Sequence, residues 1–277
     1  MSTPKERIDI LLVEQAYYES REKAKAAIMA GLVIADGERI EKAGMKVPRA
    51  AAITVKGAPH PYVSRGGLKL EKAIKQFDLQ LEGVTMMDIG ASTGGFTDCA
   101  LQNGAERVYA IDVGYNQLDW SLRNDERVIV MERTNFRYVE AEHLDGPRPN
   151  IATIDVSFIS LKLILPPLKA LLQRPGKVIA LIKPQFEAGR EKVGKSGVVR
   201  DPRTHEEVLR EVLDFACELG FVLEGVTYSP ITGGEGNIEF LAYWTVPDQA
   251  EELEQPNVSR ELIHDLVKEA NTQFRSV

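Results

Sequence analysis

From about residue 66 onward, the apolar positions of the chain fall into short runs that alternate with amphipathic segments. Short apolar runs bounded by polar turns predict buried strands, and the segments between them have helical spacing. The predicted strands cover residues 85–89, 107–113, 128–131, 151–155, 177–182, 222–229 and 238–246. The predicted helices cover residues 69–76, 96–103, 163–172, 205–219 and 259–274. This alternation predicts an α/β fold with a seven-stranded, mostly parallel sheet and helices on both faces.

The first sixty residues have a different pattern, which indicates a separate small α+β domain. Ser20 is a good N-cap for a helix over 21–29, and Gly31 is placed to end it. Short apolar runs at 32–34 and 53–55, with a turn at Asp36, predict short strands. The Pro-containing stretch 58–63 predicts an extended connector. We therefore expect a domain over 1–59, a linker over 60–65 and a larger domain over 66–277.

Composition limits the class of protein. The chain has 277 residues, 44% of them hydrophobic and 27% charged, which is typical of a globular protein. No apolar run approaches the roughly 18 residues that a membrane span needs, and the N-terminus lacks the apolar core of a secretory signal. Only Cys99 and Cys217 occur, without metal-ligand spacing. We expect a cytoplasmic protein with no disulfide framework, no metal site and no membrane association.

Net charge alone does not decide whether nucleic acid is a partner. The formal net charge is −7, but residues 1–60 contain ten Lys or Arg and eight Asp or Glu, a local charge of +2. The remaining residues then carry −9, because +2 and −9 sum to −7. A nucleic-acid contact needs a local basic patch and does not require a positive net charge on the whole protein.

The segment 87–96 predicts a cofactor site. An apolar strand runs into a loop of glycines and small residues, and such a loop lets a ligand approach the backbone closely. A dinucleotide loop is the alternative, but G-x-G-x-x-G does not fit the spacing, and Asp88 would repel a pyrophosphate. Asp88 suits the cationic methionine part of S-adenosylmethionine, and Asp112, ending the next strand, suits ribose hydroxyls. Asn135 is a candidate for the adenine edge, although a turn-forming Asn explains it nearly as well. The candidate cofactor residues are Asp88, Gly90, Ala91, Ser92, Thr93, Gly94, Gly95, Phe96, Asp112 and Asn135.

Four ionisable residues are candidates for the chemistry. Lys69, Asp155, Lys183 and Glu239 occur at or near predicted strand and helix ends, where open α/β sheets bind substrates. Each taken singly is equally well a surface charge, whereas all four in this order favour a site. The Asn/Asp-Pro-Pro-aromatic motif of amino-group methylation is absent. Neither cysteine has the Pro-Cys context of a carbon-5 nucleophile.

Three resemblances connect these residues to known families. The residues Arg7, Ile8, Asp9, Ser20 to Ala24, Ile28, Gly31, Val33 and Gly37 resemble the S4 RNA-binding domain. The Lys-Asp-Lys-Glu set resembles the tetrad of the FtsJ-like ribose 2′-O-methyltransferases. Together with the segments 64–67 and 88–97, it is similar to the TlyA/hemolysin A family.

These resemblances imply an S-adenosylmethionine-dependent methyltransferase that modifies cytidine riboses in 16S and/or 23S ribosomal RNA, with ribosomal subunits as partners. They imply RNA contacts at Arg7, Ser20, Arg21, Lys23, Lys25 and Arg65. Composition by itself favours a plain solvated face for the basic side chains of helix 21–29. Lys183 is the expected general base, on condition that its proton is held less firmly than in water. The glycine-rich basic segment 189–197 is either an RNA contact or a plain surface loop.

Two other functions remain open from the sequence. The hemolysin name in the family suggests a membrane-active protein, and a binding protein with an inactive methyltransferase domain has the same domain order. The sequence makes no prediction of oligomeric state.

Overall fold

The computed structural model describes residues 5–15, 17–18, 20–49, 51, 53–55, 60–233, 236–248 and 259–275. The chain divides into two compact units, Met1–Pro61 and Tyr62–Val277. The division falls inside the segment 60–65 that we predict as a linker. Residues 58 and 59 of the predicted connector lie outside the described residues.

The first unit is a small α+β fold. Its helices are α1 (Ile8–Glu14) and α2 (Arg21–Met29). Its strands are β1 (Lys5–Arg7), β2 (Val33–Ala35), β3 (Glu38–Arg39), β4 (Lys46–Pro48) and β5 (Ile53–Val55). β1 pairs with β4, and β2 lies between β3 and β5, all antiparallel. The Ser20 side chain accepts from the Lys23 backbone N–H, as a helix N-cap should, and Gly31 follows the helix with φ +69°.

The second unit is a doubly wound α/β fold. Its strands are β6 (Thr85–Ile89), β7 (Arg107–Ile111), β8 (Val128–Met131), β9 (Ile151–Ile154), β10 (Gly176–Ile182), β11 (Val222–Tyr228) and β12 (Phe240–Val246). Its α-helices are α3 (Gly67–Phe77), α4 (Gly95–Gln102), α5 (Trp120–Arg123), α6 (Leu165–Leu171), α7 (Pro184–Glu187), α8 (Pro202–Glu218) and α9 (Arg260–Arg275). Short 3-10 helices cover Phe136–Tyr138, Ala141–His143, Leu161–Leu163 and Arg190–Lys192.

The seven strands form one sheet in the order β11-β12-β10-β9-β6-β7-β8. The five strands from β10 to β8 are parallel, and β12 runs antiparallel to both β10 and β11. The chain order reverses between β6 and β9, so the ends of these strands diverge into a crevice. The predicted α/β class and the seven-stranded, mostly parallel sheet are confirmed.

The core lies on both faces of this sheet. One face packs under α6, α8 and α9, with Trp244, Phe221 and Phe240 fully buried, and the other packs under α3 and α4. The central strands are buried on both sides, which is why they are apolar runs and not alternating patterns. Over the described residues, no helix combines the length and apolar character that crossing a bilayer requires.

The structure corrects several predicted element ends. β7 ends at Ile111 instead of residue 113, because the Asp112 carboxylate turns the chain by accepting from the backbone N–H groups of Ser92 and Gly114. α8 begins at Pro202 instead of residue 205, since Asp201 caps it and proline suits the first turn. Glu239 was predicted inside a strand and lies just before β12.

Candidate active site

A cavity of about 600 Å³ opens at the carboxyl ends of β6, β9 and β10. Its walls come from residues of the segments 64–69, 88–92, 95–96, 155–158 and 183–186, together with residues 197, 233, 237 and 239, all in the second unit. Its volume lies in the range of small-molecule and cofactor sites. The topological switch of the sheet therefore coincides with a cavity that has both apolar and charged walls.

Four charged side chains in the cavity wall form one continuous ion-pair chain. The Lys69 Nζ atom lies 2.8 Å from Glu239 Oε2 and 3.1 Å from Asp155 Oδ2. The Lys183 Nζ atom lies 2.5 Å from Asp155 Oδ1. The chain thus runs Glu239–Lys69–Asp155–Lys183, with two cations and two anions. The structure brings together the four residues that the sequence predicts as one site.

The charged state of this chain depends on its pairing. Burial by itself lowers the pKa of Lys69, but the carboxylates of Asp155 and Glu239 outweigh burial and hold that pKa above its usual value. Burial likewise raises the pKa of Asp155, but the two lysines prevail and keep it below its usual range. Lys69 and Asp155 are therefore both charged at neutral pH. An ion pair this deeply buried depends on having both partners in place.

Two polar side chains that the sequence analysis missed extend the ion-pair chain. The Gln185 Nε2 atom donates to Glu239 Oε1 at 3.3 Å, and the Lys183 Nζ atom lies 3.2 Å from Ser157 Oγ. Both residues lie within two positions of a predicted site residue. Their polarity so close to a strand end was the signal available in the sequence.

The wall beside Glu239 is held by Asn237, another residue that the sequence analysis did not single out. Asn237 is buried, its Oδ1 atom accepts from the Val199 N–H at 3.1 Å, and its Nδ2 atom donates to the Gly197 carbonyl at 2.9 Å. Its own carbonyl accepts from the Gly233 N–H. A Cβ atom at Gly233 would lie 2.1 Å from Glu239 Oε1, so a larger residue there would displace that carboxylate.

Asp88 also lines the cavity, but its side chain is fully buried. Its Oδ2 atom accepts from the Thr97 backbone N–H at 3.0 Å and from Thr97 Oγ1 at 2.7 Å. Its Oδ1 atom lies 3.3 Å from Thr153 Oγ1. Burial raises the pKa of Asp88 to about 7, because desolvation and the Asp155 charge outweigh these hydrogen bonds. Asp88 anchors the start of α4 while keeping a carboxyl group in the cavity wall.

The glycine loop after β6 packs closely against the backbone that follows β9. Gly90 has φ +87°, and a Cβ atom there would lie 2.6 Å from the Asp155 carbonyl oxygen. Residues 90–92, 95 and 96 line the cavity. Thr93, Gly94, Asp112 and Asn135 are not in its wall. Asp112 reaches the loop through its bond from the Ser92 N–H at 2.8 Å, and Asn135 caps a 3-10 turn by accepting from the Arg137 N–H.

An aromatic pair stands at the cavity wall after β9 and β10. Phe158 is 90% exposed, has φ +64° and lies with its ring centroid 4.9 Å from that of Phe186. Positive φ is uncommon for a bulky residue and is retained where the surroundings fix it. The sequence analysis did not predict this pair.

Comparison with known proteins gives the family. An FtsJ-like methyltransferase model matches residues 62–245, and an S4 domain model matches residues 6–53. The chain belongs to the FtsJ-like methyltransferase family. It is 55% identical to YqxC of Bacillus subtilis, which carries a provisional rRNA methyltransferase name, over 99% of this chain and 97% of that protein. It is 42% identical to the 16S/23S rRNA (cytidine-2′-O)-methyltransferase TlyA of Mycobacterium tuberculosis, over 86% of this chain and 88% of that protein.

A solved structure from Streptococcus thermophilus, described as a hemolysin, matches with a TM-score of 0.77 and 50% identity, over 99% of this chain and 98% of that chain. The predicted family, with its S4 and FtsJ-like parts, is confirmed, and so is the prediction of an enzyme. The hemolysin name recurs among the relatives, but the family models support methyl transfer.

In this FtsJ-like methyltransferase, the cavity suits the donor that the family uses. S-adenosylmethionine is a zwitterion with an extra sulfonium charge, and its cationic end fits a wall that contains the carboxyl groups of Asp88 and Asp155. The backbone of residues 90–92 is open to the cavity without large side chains. In the described ranges, no cluster of His, Cys, Asp and Glu side chains could hold a metal ion.

In the S4 unit, two arginine side chains bind the same buried carboxylate. Asp9 is fully buried and accepts from Arg7 Nε at 2.9 Å and from an Arg21 terminal nitrogen at 2.8 Å, while both arginine side chains stay partly exposed. The hydrogen bond from Arg7, reinforced by Arg21, holds the pKa of Asp9 below its usual range. Ser20 is engaged as the N-cap of α2, and Arg65 lines the cavity in the second unit.

Proposed function

We propose that this methyltransferase transfers a methyl group from S-adenosylmethionine to the 2′-hydroxyl of cytidine riboses in 16S and/or 23S ribosomal RNA. The observation that carries the proposal is the Glu239–Lys69–Asp155–Lys183 ion-pair chain in the cavity wall. The relative from M. tuberculosis is named for this reaction. A ribosomal substrate implies a cytoplasmic enzyme.

The ion-pair chain divides the two lysines into different roles. Lys69 lies between two carboxylates and stays protonated, so it orients Asp155 and Glu239 and donates hydrogen bonds. Among the described residues, Lys183 pairs with one carboxylate, that of Asp155, and contacts the Ser157 hydroxyl. A ribose hydroxyl is a weak nucleophile until its proton is taken or weakened. We assign that step to the Lys183 amine, with Asp155 fixing its position.

Positioning supplies most of the remaining rate gain. S-adenosylmethionine supplies an electrophilic methyl group on a positively charged sulfur. Holding the hydroxyl in line with that methyl group replaces a bimolecular encounter by an effectively unimolecular step. Residues 90–96 and Asp88 would hold the donor, with Asp112 orienting the loop beside it. The Asn135 contact with adenine stays a prediction.

The S4 unit would position the RNA. Arg7, Arg21, Lys23 and Lys25 would meet phosphates, and such contacts fix register without reading sequence. Arg65, in the cavity wall, would meet the substrate close to the reacting ribose.

The test is transfer of labelled methyl from S-adenosylmethionine to unmodified 16S and 23S RNA and to isolated subunits. Lys183→Arg keeps a cation beside Asp155 but removes a group that can accept a proton, because a guanidinium does not lose its charge. We expect that variant to bind the donor and to lose about 10²- to 10⁴-fold in transfer rate.

Lys162→Ala, which removes a partly exposed lysine outside the cavity, is the matched control and should transfer normally. Label recovered on a base would contradict the 2′-O assignment. Donor binding without transfer to any RNA would favour an RNA-binding protein with an inactive domain.

A further inference from the structure

Among the described residues, the exposed aromatic side chains lie in segments at one edge of the large sheet. They are Tyr115, Trp120, Tyr138 and Phe158, exposed by 65%, 75%, 70% and 90%. All four belong to segments that follow β7, β8 or β9, at the edge of the sheet where the cavity opens. Phe158 belongs to the cavity wall, whereas the other three lie outside it. Exposed aromatic rings that gather on one edge indicate a binding surface.

Two of these rings each have an arginine guanidinium above part of the ring, and both rings stay exposed. The Arg133 guanidinium lies 4.0 Å from the centroid of the Tyr115 ring, and the Arg137 guanidinium lies 5.3 Å from that of Tyr138. A guanidinium stacked on an aromatic ring extends a flat, cationic platform. We call Tyr115, Trp120, Tyr138 and the two arginines the stacking surface.

Backbone contacts join the loops of the stacking surface. The Arg133 N–H donates to the Gly114 carbonyl at 2.9 Å, and the Glu132 carboxylate accepts from the Gln117 N–H at 3.0 Å. Arg123 pairs with the same carboxylate at 2.6 Å, so Glu132 is neutralised beneath the surface. The segment that contains Tyr115 and Trp120 is therefore fixed to residues 132 and 133, which follow β8.

We propose that the stacking surface binds unpaired nucleotides of the RNA substrate next to the reacting ribose. Aromatic faces and arginine planes bind bases of single-stranded RNA by stacking, and the arginines attract phosphates. The positive charge of Arg133 and Arg137 makes RNA the occupant that fits. This inference rests on the proposed function, since it extends the RNA path from the cavity across the edge formed by β7 and β8.

The test separates RNA binding from donor binding in the full-length protein. Three alanine variants are compared with the wild type: Tyr115→Ala, Trp120→Ala and Tyr138→Ala. For each we measure the affinity for unmodified 16S and 23S transcripts, the affinity for S-adenosylmethionine, and KM and kcat. We expect each variant to bind RNA roughly 5- to 100-fold more weakly. KM for RNA should rise to match, while kcat and donor affinity stay within about twofold. Tyr115→Phe and Tyr138→Phe keep the ring and should restore RNA affinity.

Leu262→Ala, which trims a half-exposed aliphatic side chain on α9, is the matched control and should change nothing. Unchanged RNA affinity in the three alanine variants would overturn the proposal. Weaker donor binding would also overturn it, because it would assign the surface to the cofactor. If the wild type transfers no methyl group, the proposed function fails, yet the RNA affinities still decide this proposal.

Discussion

The carboxyl group of Asp88 gives the cofactor-free protein a specific dependence of stability on pH. Its pKa is about 7 in the folded state against an ordinary 3.8, chiefly because it is fully buried. Below about pH 4 the group is protonated in both states. Between pH 4 and 7 the unfolded chain ionises while the folded chain holds its proton, so stability falls as pH rises through this window. Above pH 7 both states are ionised and the loss stops growing.

The size of this effect follows from the difference in pKa. Each pKa unit corresponds to about 1.4 kcal/mol, so a gap of about three units gives about 4 kcal/mol in total. More than half of that loss, about 2–3 kcal/mol, falls between pH 5 and pH 8. Asp88→Asn removes the ionisation and preserves the contacts, since an amide oxygen accepts from Thr97 and an amide nitrogen donates to the Thr153 hydroxyl. The stability of the variant relative to the wild type should therefore rise by about 2–3 kcal/mol between these two pH values.

The assay is urea unfolding of both proteins at several pH values, followed by tryptophan fluorescence. Both tryptophans, Trp120 and Trp244, lie in the second unit, so the signal reports the domain that contains Asp88. Asp265→Asn, an exposed change on α9, is the control and should follow the wild type at every pH. A stability difference between Asp88→Asn and wild type that stays constant from pH 5 to pH 8 would refute the reasoning.

Three further changes test other parts of the structure. Lys69→Met leaves the Glu239 carboxylate buried without its cation and should lower the free energy of unfolding in urea by about 3–5 kcal/mol. The double variant Lys69→Met with Glu239→Gln should recover most of that stability. Equal stability of the single and double variants would contradict this coupling. Asp9→Asn removes a negative charge from the S4 unit, yet RNA affinity in filter binding should fall about tenfold because two arginines lose their shared anchor. Glu14→Gln removes the same charge from an exposed site and should not weaken binding, and tighter binding by Asp9→Asn would show that net charge prevails. Gly233→Ala places a Cβ atom against Glu239 and should lower kcat at least about 100-fold, with little change in RNA affinity. Steady-state kinetics would measure the change in kcat.

The fold was largely predictable because its central strands are short apolar runs. The strands 85–89 and 128–131 were predicted with the bounds that the structure shows. The predicted bounds were wrong at element ends that a side-chain hydrogen bond determines and the apolar pattern does not. Asp112, which turns the chain after β7, is one such residue. The helix over residues 163–172 is a 3-10 turn followed by α6, and a hydrophobic pattern does not distinguish these two geometries.

The candidate site was predictable as a set of residues but not as a set of contacts. The four charged residues stand out in the sequence because each occurs beside apolar runs. Their pairing does not follow from spacing, since Lys69 and Glu239 are 170 residues apart in the chain. The roles of Gln185 and Asn237 were missed for the same reason, because a polar residue near a strand end gives no sign of which partner it meets. The burial of Asp88 was missed because its partner, Thr97, belongs to the following helix.

In the function that we propose, the order of groups in the ion-pair chain, and not their residue types, separates the roles of the two lysines. An alternating row of two cations and two anions is neutral as a whole, so the attraction between neighbouring groups offsets part of the cost of desolvating them. In such a row one cation is internal and one is terminal. The internal cation, Lys69, has a carboxylate on each side, whereas the terminal cation, Lys183, pairs with Asp155 alone among the described residues. Lys183 also lines the cavity, so a substrate hydroxyl can approach it on the side that Asp155 does not occupy. We therefore expect the hydroxyl to be methylated to lie beside Lys183, at the end of the row that Glu239 does not occupy.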